Sequence, residues 1–293
     1  MRASLLAGLL SLFAAEARAD TILFVGNSFT FGAVSPVWKY RSASVTDLNG
    51  DGVGGVPALF KLFTQEAGVD YQVSLETAAG QSLEWHWRSK RALIGQPWDH
   101  VVLQEYSTLD PQRPGHPAKL VTFAGKLAAL VRASNPQADI SLTATWSRPG
   151  LTYPPGEHWS GQPITRMAED VRRANDLARR QNPSIGRVHP VGEAFSCAIA
   201  AGIADPNPYD GLTFGQVNLW AFDQYHASTE GYYLEALVVF AGVTGRDPRQ
   251  LGRDETAANE LGMSPDVAQR LQSIAWQMAL GGGCNPAALK SQK

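Results

Sequence analysis

Short apolar runs alternate along the chain with stretches in which apolar residues recur every three to four positions. The apolar runs, which this pattern predicts to be β-strands, lie at 22–25, 71–75, 100–104, 140–145 and 187–189. The stretches with helical spacing lie at 57–67, 118–133, 165–181, 232–240 and 264–279. Strand and helix alternation of this kind predicts an α/β fold with a parallel sheet covered by helices on both faces.

Residues 1–19 have the features of a secretory signal peptide, with a positive start, an apolar run at 5–15 and the small-residue triplet Ala17-Arg18-Ala19. The apolar run is shorter than the roughly 20 residues that span a bilayer. A buried first helix is the alternative. The pattern predicts an exported protein, periplasmic or secreted, whose single domain covers residues 20–293.

The net charge of −2 gives no long-range attraction to nucleic acid or to anionic lipid. No segment after the signal is long and apolar enough to predict membrane insertion. The oligomeric state is not indicated. Cys197 and Cys284 are the two cysteines, and export favours a disulfide between them over two buried thiols.

Two short segments far apart in the chain suggest nucleophilic catalysis. Ser28 directly follows Gly26-Asn27 at the predicted carboxyl end of the first strand, the edge at which open α/β sheets bind ligands. Asp223 stands three residues before His226, so the carboxylate can reach Nδ1 of the imidazole and leave Nε2 to accept a serine proton. A strand-end turn and a polar turn are the alternative interpretations of the two segments.

Together these segments resemble the motif blocks of the SGNH/GDSL hydrolase superfamily. Gly26-Asn27-Ser28 resembles the first block, Gly80 the second, and Asp223-x-x-His226 the last. The resemblance implies a three-layer α/β/α sandwich with a five-stranded, flavodoxin-like parallel sheet. It also implies that Ser28 is the nucleophile, and that the N–H groups of Ser28 and Gly80 donate to the oxyanion.

The third block departs from the common Gly-x-Asn-Asp pattern, because the third strand ends in Gln104-Glu105. This pair is similar to the branch that includes sialate and acetyl-xylan type esterases, which implies that the Gln104 amide replaces the asparagine as an oxyanion donor. A free carboxylate there would oppose the reaction, so we expect Glu105 to face away or to be held by hydrogen bonds. The alternative is that Gln104 only satisfies the local backbone.

The segment with Asp47, Asn49 and Asp51 matches the first half of a calcium loop, with oxygen ligands at alternating positions. The acidic residue expected at the twelfth position is Ala58. We therefore prefer an Asx/Gly turn, with a calcium ion completed by another loop as the alternative. No other metal pattern is present, and the chemistry needs no cofactor.

Aromatic residues are concentrated in the segments expected around the site. Those predicted to contact substrate are Trp85, Tyr106, Trp146 and Tyr225. Flat apolar faces with polar edges suit sugar rings or aromatic esters, although core packing takes some loop aromatics.

The sequence therefore predicts an exported serine esterase that acts through an acyl-Ser28 intermediate on a small-molecule or glycan ester, with acyl groups on carbohydrates favoured. A short-chain or lysophospholipid lipase is one alternative. A non-catalytic carbohydrate-binding or scaffolding protein on a hydrolase fold is another. A calcium-dependent adhesion module would rest on the segment around Asp47 alone.

Overall fold

Six strands form one parallel sheet in the computed structural model, which describes residues 18–281 and 283–290. The strands are β1 (Asp20–Gly26), β2 (Thr46–Asp47), β3 (Tyr71–Thr77), β4 (His100–Leu103), β5 (Asp139–Thr143) and β6 (Ile185–His189). Their order is β2-β3-β1-β4-β5-β6. Without β2 this is the flavodoxin-like order. Residues 1–17 of the predicted signal peptide lie outside the described residues.

The five predicted strands are confirmed, and β2 is the one that the sequence did not predict. It lies between the predicted strand 22–25 and the predicted helix 57–67 and has only two residues, Thr46 and Asp47, which pair with Ser74 and Leu75 of β3. A strand this short at a sheet edge has no apolar run of its own. Only its position beside β3 makes it a strand.

Eleven α-helices connect and cover these strands in the described part of the chain. They are α1 (Gly55–Glu66), α2 (Leu83–Ser89), α3 (Arg91–Ile94), α4 (Ala118–Ser134), α5 (Pro149–Thr152), α6 (Arg166–Gln181), α7 (Val191–Ala200), α8 (Thr229–Thr244), α9 (Thr256–Glu260), α10 (Pro265–Ala279) and α11 (Pro286–Lys290). Short 3₁₀ turns lie at Pro36–Lys39, Ser42–Ser44 and Pro248–Leu251. None of the described helices combines the length and the apolar character that a membrane crossing requires.

The sheet separates two apolar cores, because successive side chains of a strand point to opposite faces. Ile22 and Phe24 of β1 pack in the core formed with α1, α7, α8 and α10. Leu23 and Val25 pack in the core formed with α2, α3, α4 and α6. The molecule is therefore the three-layer α/β/α sandwich that the sequence predicted.

Helix α8 is apolar all round and is buried over most of its length. Ser228 is its N-cap, and its hydroxyl accepts from the Gly231 N–H at 3.2 Å. At the other end, Gly245 has a left-handed φ of 67° and ends the helix. The N-cap fixes where α8 begins, and therefore where the segment with Asp223 and His226 must stop.

A disulfide joins Cys197 of α7 to Cys284, across 87 residues of sequence. Leu289 of α11, which follows Cys284, is buried in the core beside α7 and α10. The bond therefore holds the C-terminal helix against the sandwich.

We expect the Cys197–Cys284 bond to stabilise the fold by about 4–5 kcal/mol, because it removes closure entropy of a long loop from the unfolded chain. Replacing Cys284 by Ser should lower the free energy of unfolding in urea by about that amount. Titration of the denatured, unreduced protein should find no free thiol. Two reactive thiols would contradict the pairing.

Candidate active site

The loops after β1, β3, β4 and β5 leave the sheet at the same edge. Gly26 of β1 pairs with Thr77 of β3, and Val25 pairs with Leu103 of β4. Leu103 in turn pairs with Leu142 of β5. The parallel register therefore gathers residues 27–33, 78–82, 104–110 and 144–148 at one edge, where such sheets bind ligands.

Ser28 lies in a tight turn directly after β1. The Asn27 carbonyl accepts from the N–H groups of Thr30 and Phe31, both at 3.0 Å. Ser28 is 7% exposed, and its carbonyl accepts from the Tyr232 hydroxyl at 3.2 Å. The serine is thus fixed between the strand end and the first turn of α8.

Asp223 and His226 form the pair that the sequence predicted. Nδ1 of His226 lies 2.6 Å from Oδ2 of Asp223. The other oxygen, Oδ1, accepts from the N–H groups of Tyr225 at 3.1 Å and His226 at 3.0 Å. Gln224 between them has a left-handed φ of 55°, a conformation that a residue other than glycine adopts at a cost. The strained turn lets one carboxylate hold both the backbone and the imidazole.

The environment keeps Asp223 ionised. Burial alone raises its pKa, but the hydrogen bonds from the His226 ring and from the two N–H groups outweigh burial, and the pKa of Asp223 lies below its ordinary value. An ionised Asp223 accepts the proton on Nδ1 and therefore leaves Nε2 of His226 as the basic nitrogen. Nε2 has no hydrogen-bond partner among the described residues.

Ser28 and His226 belong to the same cluster of side chains. The ring of Phe29, the residue after Ser28, lies 5.7 Å from the His226 ring between centroids. Tyr232, which contacts the Ser28 carbonyl, stands six residues after His226. The Ser28 hydroxyl does not hydrogen-bond to Nε2 in this conformation, so the direct pairing of the two side chains stays a prediction.

Gly80 lies in the exposed turn that follows β3. Its φ is 66°, and a Cβ there would meet nothing within 4 Å. The glycine is therefore favoured by backbone conformation and not by lack of space. Asn27 Nδ2 donates to the Gln81 carbonyl at 2.9 Å, which ties this turn to the Ser28 turn. The structure thus brings Gly80 close to the nucleophile turn, while its role as an oxyanion donor stays a prediction.

Gln104 is buried and organises the Ser28 turn. Its Oε1 accepts from the Asn27 N–H at 3.0 Å and from the Thr30 hydroxyl at 3.1 Å. These two donors fix which end of the amide is oxygen. Nε2 donates one hydrogen to the Glu105 carbonyl. The local bonding that we gave as the alternative is therefore present, and the second N–H is what an oxyanion role would use.

Two variants separate these roles of Gln104. Gln104→Ala should lower kcat by about 10²-fold or more with a much smaller change in KM, as for a donor used mainly in the transition state. Gln104→Glu keeps an acceptor for Asn27 and Thr30 but removes the donor, so above neutral pH it should be worse than Ala. Near-normal kcat in the Glu variant would mean that Gln104 only stabilises the Ser28 turn and does not donate to the oxyanion.

Glu105 is held by hydrogen bonds, as we expected. Its Oε1 accepts from the N–H groups of Leu83 at 3.1 Å and Tyr106 at 2.7 Å. The carboxyl is nevertheless deeply buried, and burial raises its pKa to about 7 against these hydrogen bonds. The group next to Gln104 thus titrates near neutral pH.

A raised pKa makes Glu105 a source of pH-dependent stability. Between pH 4.5 and 7 the folded state keeps a proton that the unfolded state has lost, so the contribution of Glu105 to the free energy of unfolding should fall as the pH rises, by about 3 kcal/mol in all. Burial lowers the pKa of His189 to about 3, which acts in the opposite direction over this range, so the measurement compares Glu105→Gln with the wild type by urea unfolding at pH 5 and pH 8. The change in stability from pH 5 to pH 8 should be less favourable in the wild type than in Glu105→Gln, whereas Glu169→Gln on the exposed side of α6 should behave as the wild type. Equal pH dependence in Glu105→Gln and the wild type would contradict the assignment.

Of the aromatic residues predicted to contact substrate, the structure leaves three partly exposed and buries one. Trp85, Tyr106 and Tyr225 are half-buried. Trp146 has no exposed surface, and its ring stacks on Phe29 at 4.3 Å. It therefore lies in the core behind the Ser28 turn instead of at the substrate surface, because the chain after β5 turns inward.

In the segment with Asp47, Asn49 and Asp51, the side-chain oxygens of Asp47 and Asn49 accept hydrogen bonds from other groups of the protein. Asp47 accepts from the N–H groups of Asn49 at 3.0 Å and Val53 at 3.1 Å. Asn49 Oδ1 accepts from the Lys90 ammonium at 2.7 Å, which places a positive charge where a calcium ion would stand. Within 18–281 and 283–290, no group of three or more His, Cys, Asp or Glu side chains is arranged to hold a metal.

The structure adds Arg148, which the sequence analysis did not single out. Its guanidinium lies 3.6 Å from the centre of the Tyr225 ring, and that ring lies 4.2 Å from the His226 ring. The one available signal was its position five residues after β5, at the edge that carries Ser28. No motif marks it.

Comparison with known proteins shows which solved structures have a similar fold. No family model and no curated protein matches the sequence. A DUF4886 family protein from Bacteroides uniformis has a similar structure, with a TM-score of 0.63 and 17% identity over 90% of this chain and 95% of that one. A protein assigned as a GDSL-like lipase from Parabacteroides merdae has a TM-score of 0.52 and 16% identity over 78% and 96%. The chain therefore has the fold of the SGNH/GDSL hydrolases.

Proposed function

We propose that this chain is an exported serine esterase that removes acyl groups from carbohydrates. The observation that carries the proposal is the Asp223–His226 pair, whose unbonded Nε2 lies at the sheet edge that also holds Ser28. An aspartate, a histidine and a serine gathered at one edge are the parts of a nucleophilic hydrolase. The disulfide supports export, since such bonds persist in oxidising compartments.

The reaction follows from the roles of these groups. Nε2 of His226 takes the Ser28 hydroxyl proton as Oγ attacks the ester carbon. The N–H groups of Ser28 and Gly80 and the second N–H of Gln104 donate to the negative oxygen of the tetrahedral intermediate. His226 then gives its proton to the leaving alcohol, and water repeats the sequence to release the acid. No cofactor enters any step.

A groove beside the Gly80 turn supports a sugar substrate. It has a volume of about 680 Å³, and its lining includes Trp38, Trp85 and the segment Thr77 to Ala79. Trp38 is 43% exposed, and Asp51 and Lys90 also line the groove. Indole rings together with charged side chains in one groove suit sugar rings outside the reacting ester.

The first test is covalent labelling of the proposed nucleophile. A fluorophosphonate probe should add to the peptide that contains Ser28, as detected by mass spectrometry, and the Ser28→Ala protein should stay unlabelled. The second test is a screen of p-nitrophenyl acetate, butyrate and octanoate together with acetylated sugars. We expect acetate to be favoured and acetylated sugars to be hydrolysed.

Other results of these tests would favour the alternative functions. A clear preference for octanoate would favour a lipase. No labelling and no turnover of any ester would favour a binding protein. In the Trp85→Ala variant, KM should rise more for acetylated sugars than for p-nitrophenyl acetate. Equal changes in KM for both substrates would mean that the groove does not bind the sugar.

A further inference from the structure

Arg148 is a cation without a counter-ion beside the candidate active site. Its Nη1 donates to the Ser107 hydroxyl over a long 3.4 Å, and its Nε is buried without any hydrogen-bond partner. No carboxylate in the described part of the chain lies within the 4.0 Å of an ion pair. By contrast, Arg41, Arg172 and Arg249 each face a carboxylate.

The surroundings of Arg148 make this arrangement costly. Burial lowers its pKa below the ordinary value, although Tyr225, Tyr106, Asp223 and Glu157 oppose the change. Asp223 is engaged by His226, and Glu157 is exposed. The side chain is half-buried, so part of its hydration is lost and no ion pair within the protein replaces it. The guanidinium is therefore available to a ligand group of opposite charge.

A small cavity opens next to the guanidinium. Its volume is about 180 Å³, and its walls include Tyr106, Thr108, Arg148, Leu151 and His158. Pockets for whole drug-sized ligands have volumes of about 300–1,000 Å³, so this one suits a single substituent. Glu157 at the same cavity would repel a multiply charged anion more strongly than a singly charged one.

Arg148, which forms part of the cavity wall, is close to His226. The Tyr225 ring contacts both residues, which places the guanidinium less than about 8 Å from the imidazole. His226 protonates the leaving oxygen in the proposed mechanism, so the alcohol part of the substrate lies next to it. A group carried by the alcohol is therefore within reach of Arg148.

We propose that Arg148 binds a carboxylate on the alcohol part of the substrate, so that the preferred ester is an acylated acidic sugar such as a uronate. This inference rests on the proposed function. The planar guanidinium matches a carboxylate through two parallel hydrogen bonds. The aromatic face of Tyr225 holds the guanidinium in position.

The first experiment compares two methyl glycosides acetylated at the same hydroxyl: the O-acetylglucosiduronate, which has a free carboxylate at C6, and the O-acetylglucoside, which has a hydroxymethyl group there. Wild-type kcat/KM, from acetate release, should favour the acidic sugar at least about tenfold, the minimum for a charge-assisted hydrogen bond. In Arg148→Gln this ratio should fall about tenfold or more. In Arg180→Gln, which removes an exposed arginine at the far end of α6, it should be unchanged.

Two results of this experiment would overturn the inference. One is a wild-type ratio near one. The other is an equal loss on both esters in Arg148→Gln, which would mean that Arg148 acts through Asp223 and His226 instead of through the substrate.

The second experiment does not depend on turnover. The Ser28→Ala protein should bind glucuronate more tightly than glucose or sulfate in calorimetry, and the added Arg148→Gln change should remove this preference. Such binding without any esterase activity would keep the carboxylate site and remove the proposed function. Esterase activity without binding or preference would remove only the carboxylate site, and equal binding of sulfate would also overturn it.

Discussion

We expect ester turnover to fall by about 10⁶-fold in Ser28→Ala, the size of effect seen when a triad nucleophile is removed, and the melting temperature to stay close to that of the wild type. The reason is that the hydroxyl supplies the bond-forming atom, whereas the turn around it is held by other groups. Those groups are the Asn27 carbonyl, the Gln104 amide and the Tyr232 hydroxyl. The measurements are kcat/KM for p-nitrophenyl acetate and a thermal melt.

Ser264→Ala is the matched control for this prediction. Ser264 precedes α10, is exposed, and its side chain makes no capping hydrogen bond. Its loss should leave turnover within about twofold of the wild type, as for a surface change away from the reacting groups. Unaltered turnover in Ser28→Ala would place the nucleophile elsewhere and would remove the proposed function.

The second large effect is expected for Asp223→Asn, with a fall in kcat of about 10⁴-fold. The carboxylate accepts the Nδ1 hydrogen at 2.6 Å. An amide presenting its N–H group to Nδ1 would stabilise the tautomer that carries the hydrogen on Nε2, and that tautomer cannot take the serine proton. Rates with p-nitrophenyl acetate at neutral pH measure the effect.

The stability of Asp223→Asn separates mechanism from folding. The pKa of Asp223 lies below its ordinary value, so ionised Asp223 stabilises the fold above the pKa of the unfolded state, and this contribution is lost as the pH falls through the folded-state pKa. The variant should therefore lose a little stability at neutral pH and should become less sensitive to acid. Asp254→Asn, an exposed aspartate before α9, should change neither rate nor acid sensitivity. A kcat near that of the wild type would show that Asp223 does not orient His226.

The proposed substrate depends on two separate features with no lining residue in common. The groove with Trp38 and Trp85 adjoins the Gly80 turn, whereas Arg148 and its cavity adjoin Tyr225 on the His226 side. A glycan with an acidic sugar at the reacting ester would contact both. Trp85→Ala tests the groove and Arg148→Gln tests the cavity, so the role of one can be disproved while the role of the other stands.

Local sequence determined the elements of this fold. Alternating strand and helix patterns predicted the parallel sheet and both helical layers, because apolar periodicity reports which faces are buried. The Asp223-x-x-His226 spacing predicted its own geometry, since a carboxylate three residues before a histidine reaches the ring within one turn. The N-cap of α8 is local in the same way, because the Ser228 hydroxyl accepts from the Gly231 N–H, three residues away.

Tertiary structure alone decided what depends on residues far apart in the chain. Trp146 was predicted to contact substrate but stacks on Phe29, 117 residues earlier, and is buried. The resemblance to the SGNH/GDSL hydrolases implied that Gln104 donates to the oxyanion, and the structure shows that it also accepts from Asn27 and Thr30. Arg148 meets Tyr225 only because the loop after β5 returns to the sheet edge. Sequence periodicity fixes which way a side chain faces within its own element, but its partner from another element is set by how the layers pack.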